Sequence, residues 1–135
     1  SEREVEDILT LPTLSTSLGL RDRTILEVLY STGIRRLELV QLDLGDVDEP
    51  RGLLFIREGK GRKDRLVPIG ARALEWIGKY LDHARPRLVR RRDPPALFVS
   101  ARGARIRPTR LTERLHRYVQ RAGSGKPGSV HIFRH

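Results

Sequence analysis

Four side chains stand out for what they could do together to a phosphodiester: Arg35, Lys60, His131 and Arg134. Moving a phosphoryl group between oxygens needs positive charge on the non-bridging oxygens, a nucleophile, and an acid for the leaving oxygen. Arginine suits the first task, because it stays charged and its planar fork grips two oxygens at once. Lysine or histidine suits the last. Arg35 follows Gly33-Ile34 at the junction of two apolar stretches, where backbone on both sides can fix the aim of its fork. Lys60 lies between Gly59 and Gly61, which let backbone approach a ligand closely. His131 and Arg134 stand one helical turn apart in His131-Ile132-Phe133-Arg134-His135.

Singly, each has an ordinary explanation. Arg35 could be the partner of a nearby acid, and Lys60, or its neighbour Lys63, a solvated hairpin lysine. His131 and Arg134 could belong to any surface helix. His131 and His135 have the i, i+4 spacing of a metal pair, but no third ligand is evident, so no metal is assigned.

The elements that must position these residues follow from periodicity. Ser1 and Glu4 have capping-box spacing and open a short helix through Val5, Ile8 and Leu9, stopped by Pro12. Residues 1–18 read as a leading helix and linker. Leu20–Ser31 is a helix with Ile25, Val28 and Leu29 on one stripe, broken at Gly33; Arg36–Leu42 is the next. Leu29, Ile34, Leu37 and Val40 are expected to face inward. Residues 43–52 are acidic and turn-rich. Leu53–Arg57 and Arg65–Ile69 are the strands of a hairpin, the second short or at an edge because Pro68 donates no ladder bond. Ala71–Ala84 is a helix with Leu74, Ile77, Tyr80 and Leu81 on one face, ended by Pro86. Leu97-Phe98-Val99 is a short strand or a buried anchor. Thr109 caps a helix over Arg110–Ala122, with Leu111, Leu115, Tyr118 and Val119 on its apolar face and Gly123 at its end. The fold class is α+β, mainly α-helical, arranged around one small antiparallel β-hairpin, and 135 residues make one domain at most.

Charge narrows the partner. There are 27 Lys and Arg against 17 Asp and Glu, a formal net charge of +10. Twelve arginines fall between Arg85 and Arg121, against Asp93 and Glu113. A polyanion is the expected partner, nucleic acid by default. Arg62, Lys63, Arg105, Arg107, Arg110 and Arg114 are the candidate DNA contacts, with a solvated basic face as the plain alternative. No apolar run approaches spanning length, so no membrane role is expected. Cysteine is absent, which removes disulfides and thiolate metal sites. No signal-peptide pattern opens the sequence, and a cytoplasmic, nucleoid-associated location is the default expectation.

Taken jointly, Gly33-Ile34-Arg35-Arg36-Leu37-Glu38-Leu39, then Gly59-Lys60-Gly61 with Leu66-Val67-Pro68-Ile69, then His131-Ile132-Phe133-Arg134-His135, resemble the catalytic domain of the tyrosine recombinase (phage integrase) family, nearest its Xer type. The resemblance runs over nearly the whole chain. It implies the DNA breaking–rejoining fold and site-specific strand cleavage and rejoining through a 3′-phosphotyrosyl intermediate, with no metal or other cofactor. Under it, Arg35 and Arg134 form the phosphate clamp. Glu38 helps position that site, and Lys60 is the general acid toward the 5′-oxygen. His131 hydrogen-bonds the phosphate or assists proton transfer, and His135 is structural support. Lys60 is preferred to Lys63 because it lies between the glycines of the family pattern.

The resemblance places the nucleophilic tyrosine a few tens of residues beyond Arg134, whereas Tyr30, Tyr80 and Tyr118 all precede the motif. The stretch 1–135 is therefore expected to hold most of a phosphate site and no nucleophile, and to be inactive and monomeric alone. Its implied partners are double-stranded DNA and further recombinase subunits, as a tetramer on DNA; one of these could supply the tyrosine in trans. The alternatives are a non-catalytic DNA-binding remnant, a type IB topoisomerase-like domain and, on charge alone, an RNA-binding protein.

Overall fold

The computed structural model describes residues 1–57 and 63–123. Among these residues six helices and a three-stranded sheet follow the order α1 Glu2–Leu9, α2 Ser17–Thr32, α3 Arg36–Val40, β1 Val47–Asp48, β2 Leu53–Ile56, β3 Arg65–Pro68, α4 Ala71–His83, α5 Arg85–Leu88 and α6 Pro108–Gly123. A 3-10 turn, Leu44–Asp46, leads into β1. The class is the expected one, with one strand more than the hairpin. Val47 and Asp48 pair antiparallel with Leu54 and Leu53. Two residues in an acidic turn region carry no periodicity, so only the neighbouring strand defines them. The sheet order β1-β2-β3 puts β3 at an edge, where Pro68, opposite Leu53, forfeits no interior bond.

α1 is an integral part of the core. Its capping box forms, with the Ser1 hydroxyl accepting the Glu4 N–H, and Val5, Ile8 and Leu9 are buried. α2 is longer than the expected 20–31, because Thr16 accepts the Gly19 N–H and starts the helix three residues earlier. Leu11–Thr16 turns tightly over that start. A β-carbon on Gly19 would lie 1.7 Å from the Thr13 carbonyl oxygen. Gly19→Ala is therefore expected to destabilise by at least about 1–3 kcal/mol, measurable as a lower urea midpoint at unchanged m-value.

The core lies between α2, α4 and the segment Ala96–Val99, all four of whose residues are fully buried. That segment is the anchor rather than a strand: it makes only isolated bridges, Asp43 with Ala96 and Val99 with Arg105. Tyr80 locks it to α4. The Tyr80 hydroxyl donates to the Leu97 carbonyl (2.7 Å) and accepts the Val99 N–H (3.2 Å), and its ring centroid is 5.3 Å from that of Phe98. Of the stripe expected on α4, Ile77 and Tyr80 are buried while Leu74 and Leu81 are only partly so; Ala73 completes the face.

Three other expectations need correcting. α4 ends at His83, ahead of Pro86 as expected, but Pro86 does not end helical structure: it falls in the first turn of α5, where its missing N–H costs no bond. α6 begins at Pro108, so Thr109 lies inside its first turn instead of capping it. Leu37 does not face the core. It is 58% exposed, and Leu39 takes the inward position, because α3 has only five residues and its entry angle is set by Gly33.

Candidate phosphate-binding site

The corner at Arg35 is built by its neighbours. Gly33 sits in the left-handed region at φ 68°, ψ 16°, and its N–H closes α2 onto the Leu29 carbonyl. A side chain there would cost about 1–2 kcal/mol. Ile34 is buried and anchors the turn, and Arg35 is extended at φ −76°, ψ 152° as the N-cap of α3. Its carbonyl accepts the Leu39 N–H at 2.9 Å, and its own N–H donates to Glu38 Oε1 at 2.9 Å. The main chain of Arg35 is thus held on both sides. Its exposed guanidinium makes no hydrogen bond or ion pair with another described residue. A fixed backbone beneath an unengaged cation is the arrangement a phosphate clamp requires.

Glu38, three residues on from Arg35 in the first turn of the same short helix, is buried. Arg65 reaches it from β3 with both forks, Nη1 to Oε2 at 2.7 Å and Nη2 to Oε1 at 3.1 Å. These hydrogen bonds, with the Arg35 N–H, hold the Glu38 carboxyl below the usual carboxylate range against the opposing effect of burial. Arg65 was invisible as a site residue in the sequence. Its strand position, opposite Ile56 on the inner face, was the available signal.

The same end of the sheet is fixed on the neighbouring strand in a similar way. Arg57 follows β2 and donates to Asp43 and Asp46, and Arg105 donates to Asp43 and to the carbonyls of Val40 and Leu42. Arg105 holds Asp43 below its ordinary range. Asp43 and Glu38, with Glu6 under Arg72, all have folded values below their unfolded ones. Their contribution to stability is complete above the unfolded values near pH 4 and is lost as pH falls through the lower folded values. Stability should therefore fall on acidification below about pH 4, and less steeply in Asp43→Asn, in a urea titration at stepped pH.

Of the expected DNA contacts, Lys63, Arg107 and Arg110 are exposed, Arg110 lying 3.5 Å from Glu113. Arg105 and Arg114 are instead engaged inside the molecule. Arg114 donates Nε to Asp22 Oδ2 at 2.6 Å, and the Tyr118 hydroxyl donates to the same oxygen at 2.6 Å. Arg21, in α2, takes the other oxygen and the Val99 carbonyl. Arg85, one of the twelve basic residues, is also turned inward, onto the carbonyls of Pro94, Ala96 and Leu97. Charge counting could not separate these from the solvent-facing arginines. Arg102, Arg107 and Arg110 line the rim of a cavity of about 480 Å³ whose floor is Arg21, Arg105 and Arg114.

Lys60, Arg62, His131, Arg134 and His135 lie outside the described residues. α3 packs on α6, so the helix headed by Arg35 neighbours the one that precedes His131 in sequence. Tyr80 and Tyr118 are buried, and burial pushes both phenols up, Tyr80 to about 12. Among the described residues no three His, Cys, Asp or Glu side chains are grouped to hold a metal.

The sequence profile of the phage integrase family matches residues 1–135. This chain belongs to that family. Tyrosine recombinase XerC 2 of Ralstonia nicotianae is 50% identical to it over 135 residues, covering 100% of this chain and 39% of the relative. Tyrosine recombinase XerD of the same organism is 41% identical, again over 100% of this chain and 44% of the relative. The chain therefore spans less than half the length of these curated relatives. The crystal structure of XerA recombinase superposes with a TM-score of 0.78 at 30% identity, covering 98% of this chain and 46% of that one. A structure of XerH bound to its difH substrate after cleavage superposes at 0.74 with 26% identity, covering 90% and 34%. The helical fold with its small antiparallel sheet is thus that of the family's catalytic cores, the lambda integrase core included, at a TM-score of 0.64 and 17% identity over 98% of this chain and 76% of that one.

Proposed function

We propose that this segment is the phosphate-binding part of the catalytic domain of a site-specific DNA recombinase. The observation that carries the reading is Arg35: a guanidinium left unengaged on a backbone fixed by Gly33, Ile34 and Glu38, in a family whose similar members include a DNA-bound recombinase. Arg35 and Arg134 hold the two non-bridging oxygens of the scissile phosphate, and His131 hydrogen-bonds the same group. A tyrosine oxygen attacks phosphorus, its phenolic proton passing to His131 or to water, and the bond to the 5′-oxygen breaks. Lys60 passes its proton to that departing oxygen. The strand is left joined through a 3′-phosphotyrosyl bond, and a 5′-hydroxyl reverses the steps to rejoin it. No residue in this scheme needs a cofactor.

The attacking tyrosine is none of those in this sequence. Tyr80 and Tyr118 are buried in hydrogen bonds, and Tyr30, although exposed, precedes the Arg35 corner and matches no nucleophile position of the family. It comes from elsewhere in the protein or from a second subunit of a DNA-bound assembly. Lys63, Arg107 and Arg110, with Arg62, supply phosphate contacts along the duplex, and Arg105 and Arg114 hold that surface in place from beneath. A cytoplasmic setting goes with this partner; no helix among the described residues is long and apolar enough to cross a membrane.

The test is adduct formation by the full-length gene product on labelled duplex. A covalent species retaining the 5′-end label of the cleaved strand, with the 3′-labelled fragment released, and none in an Arg134→Ala protein, is expected. An adduct joined through a 5′-phosphate, which would retain the 3′-end label, or one that survives loss of both arginines, would overturn the reading. For the chain alone, log affinity for a random duplex should fall against log salt with a slope of about −0.9 per phosphate contact. Salt-independent binding would count against any role on DNA.

A further inference from the structure

The bridge between Arg65 and Glu38 joins two parts of the molecule that the chain itself connects only through 27 residues. We infer that Arg65 is a positioning residue for Arg35, acting through the Glu38 carboxylate and setting the direction in which the Arg35 guanidinium meets a DNA phosphate. The inference rests on the function proposed above.

Three observations carry it. First, Glu38 Oε1 is shared: it accepts the Arg35 N–H at 2.9 Å and Arg65 Nη2 at 3.1 Å, while Oε2 takes Arg65 Nη1 at 2.7 Å. The terminal torsion of a glutamate is broad and two-fold, so the carboxyl plane has little preference of its own. A two-point guanidinium contact fixes that plane, and with it the oxygen that holds the Arg35 main chain. Second, the other restraints on Arg35 are local to the α2–α3 corner: Gly33, Ile34 and the Leu39 N–H. Arg65 is the restraint that arrives from the sheet. A helix of five residues has few internal bonds with which to resist tilting, so an external tie at its first turn matters more than it would in a long helix. Third, Arg65 is placed for the task by register. It lies opposite Ile56, whose side chain is buried, and so faces the α3 side of the sheet, whereas Leu66 and its partner Phe55 face solvent. A slip of one residue in β3 would turn Arg65 outward and leave Glu38 buried without this partner.

A lysine at 65 would keep the charge but offer a point contact, unable to hold both oxygens of Glu38 in one plane. The expectation is graded: Arg65→Lys retains part of the effect on Arg35 and Arg65→Ala loses it, even though neither side chain is assigned to the DNA phosphate.

The experiment is nuclear magnetic resonance on the 135-residue chain and its Arg65→Ala and Arg65→Lys variants, titrated with a random 20-base-pair duplex. Two signals are read: exchange protection of the Arg35 backbone amide in the free chain, and the shift of the Arg35 Nε–H on adding DNA. In Arg65→Ala the amide should lose about tenfold in protection, the scale of one charge-assisted hydrogen bond. The Nε–H shift should collapse while shifts at Arg107 and Arg110 on α6 persist. Arg65→Lys should fall between. Equal Arg35 signals in all three proteins would overturn the inference and leave the proposed function standing. An Arg35 Nε–H that does not respond to DNA in the unaltered chain would instead overturn the proposed function. Should Arg65→Ala fail to fold, Arg65→Lys decides: unchanged protection and shift there refute the positioning role. A merely structural role would lower the melting temperature and move all DNA-responsive signals together; positioning moves those of Arg35 selectively.

Discussion

Replacing Arg35 by alanine in the full-length protein should lower the rate of DNA cleavage by about 10²–10³-fold, the usual loss when one preorganised donor to a developing oxyanion is removed. Duplex affinity should change far less, because many phosphate contacts share it and this one is spent on the reacting group. Stability should barely change. The side chain is exposed and makes no ion pair with a described residue, and the corner beneath it is held by the main chain. Single-turnover cleavage at saturating protein separates the effects: a slow chemical step with near-normal binding supports the assignment. Loss of binding in proportion to loss of rate would place Arg35 among the general duplex contacts. Arg35→Lys should recover little, since a lysine cannot span two non-bridging oxygens. Gly33→Val should mimic part of this loss with Arg35 still present, because it strains the turn that aims the arginine.

The largest effect on stability is expected at Asp22, away from the proposed chemistry. Asp22 is 3% exposed and Arg21 2%, and the carboxylate receives Arg21 on one oxygen and Arg114 with Tyr118 on the other. Asp22→Ala would leave buried cationic groups without their counter-charge. A loss of about 3–5 kcal/mol is expected, readable as a lower urea midpoint. Asp22→Asn keeps the shape and should cost less, though it removes the charge that makes these bonds strong. The consequence reaches function through α6, whose side chains Arg114 and Tyr118 both bind the Asp22 carboxylate of α2. With the tie gone, α6 is left to its packing on α1 and α3, and the arginines on its first turn are spaced less firmly from α2. A variant folded at low temperature should then show weakened duplex binding as well as lowered stability. If Asp22→Ala is within about 1 kcal/mol of the unaltered chain, the network is not the strut described here.

The sequence by itself carried the family resemblance and named the candidate site residues. Gly33-Ile34-Arg35, the acid at 38, the glycine-flanked lysine and the final His-x-x-Arg-His depend on residue type and short spacing, and short spacing survives into any fold. It also determined the main helices and the central hairpin, since a 3.6-residue or two-residue apolar period is a local property. The edge position of Pro68 and the burial of Tyr80 and Tyr118 followed from the same local logic.

The tertiary structure alone decided which charges look outward. Arg21, Arg85, Arg105 and Arg114 are indistinguishable in sequence from Arg102, Arg107 and Arg110. What separates them is whether folding brings a carboxylate or a free carbonyl within reach, and those partners lie as far as 92 residues away. Arg85 and Arg21 face the bridge-making Ala96–Val99 segment, whose carbonyls have no ladder to satisfy them. The same holds for β1, a strand only because β2 runs beside it, and for Leu37, pushed to the surface by the angle at Gly33. Arg65 belongs with them. Its type and position say only that a cation sits on an edge strand, and its tie to Glu38 exists because sheet and helix meet there.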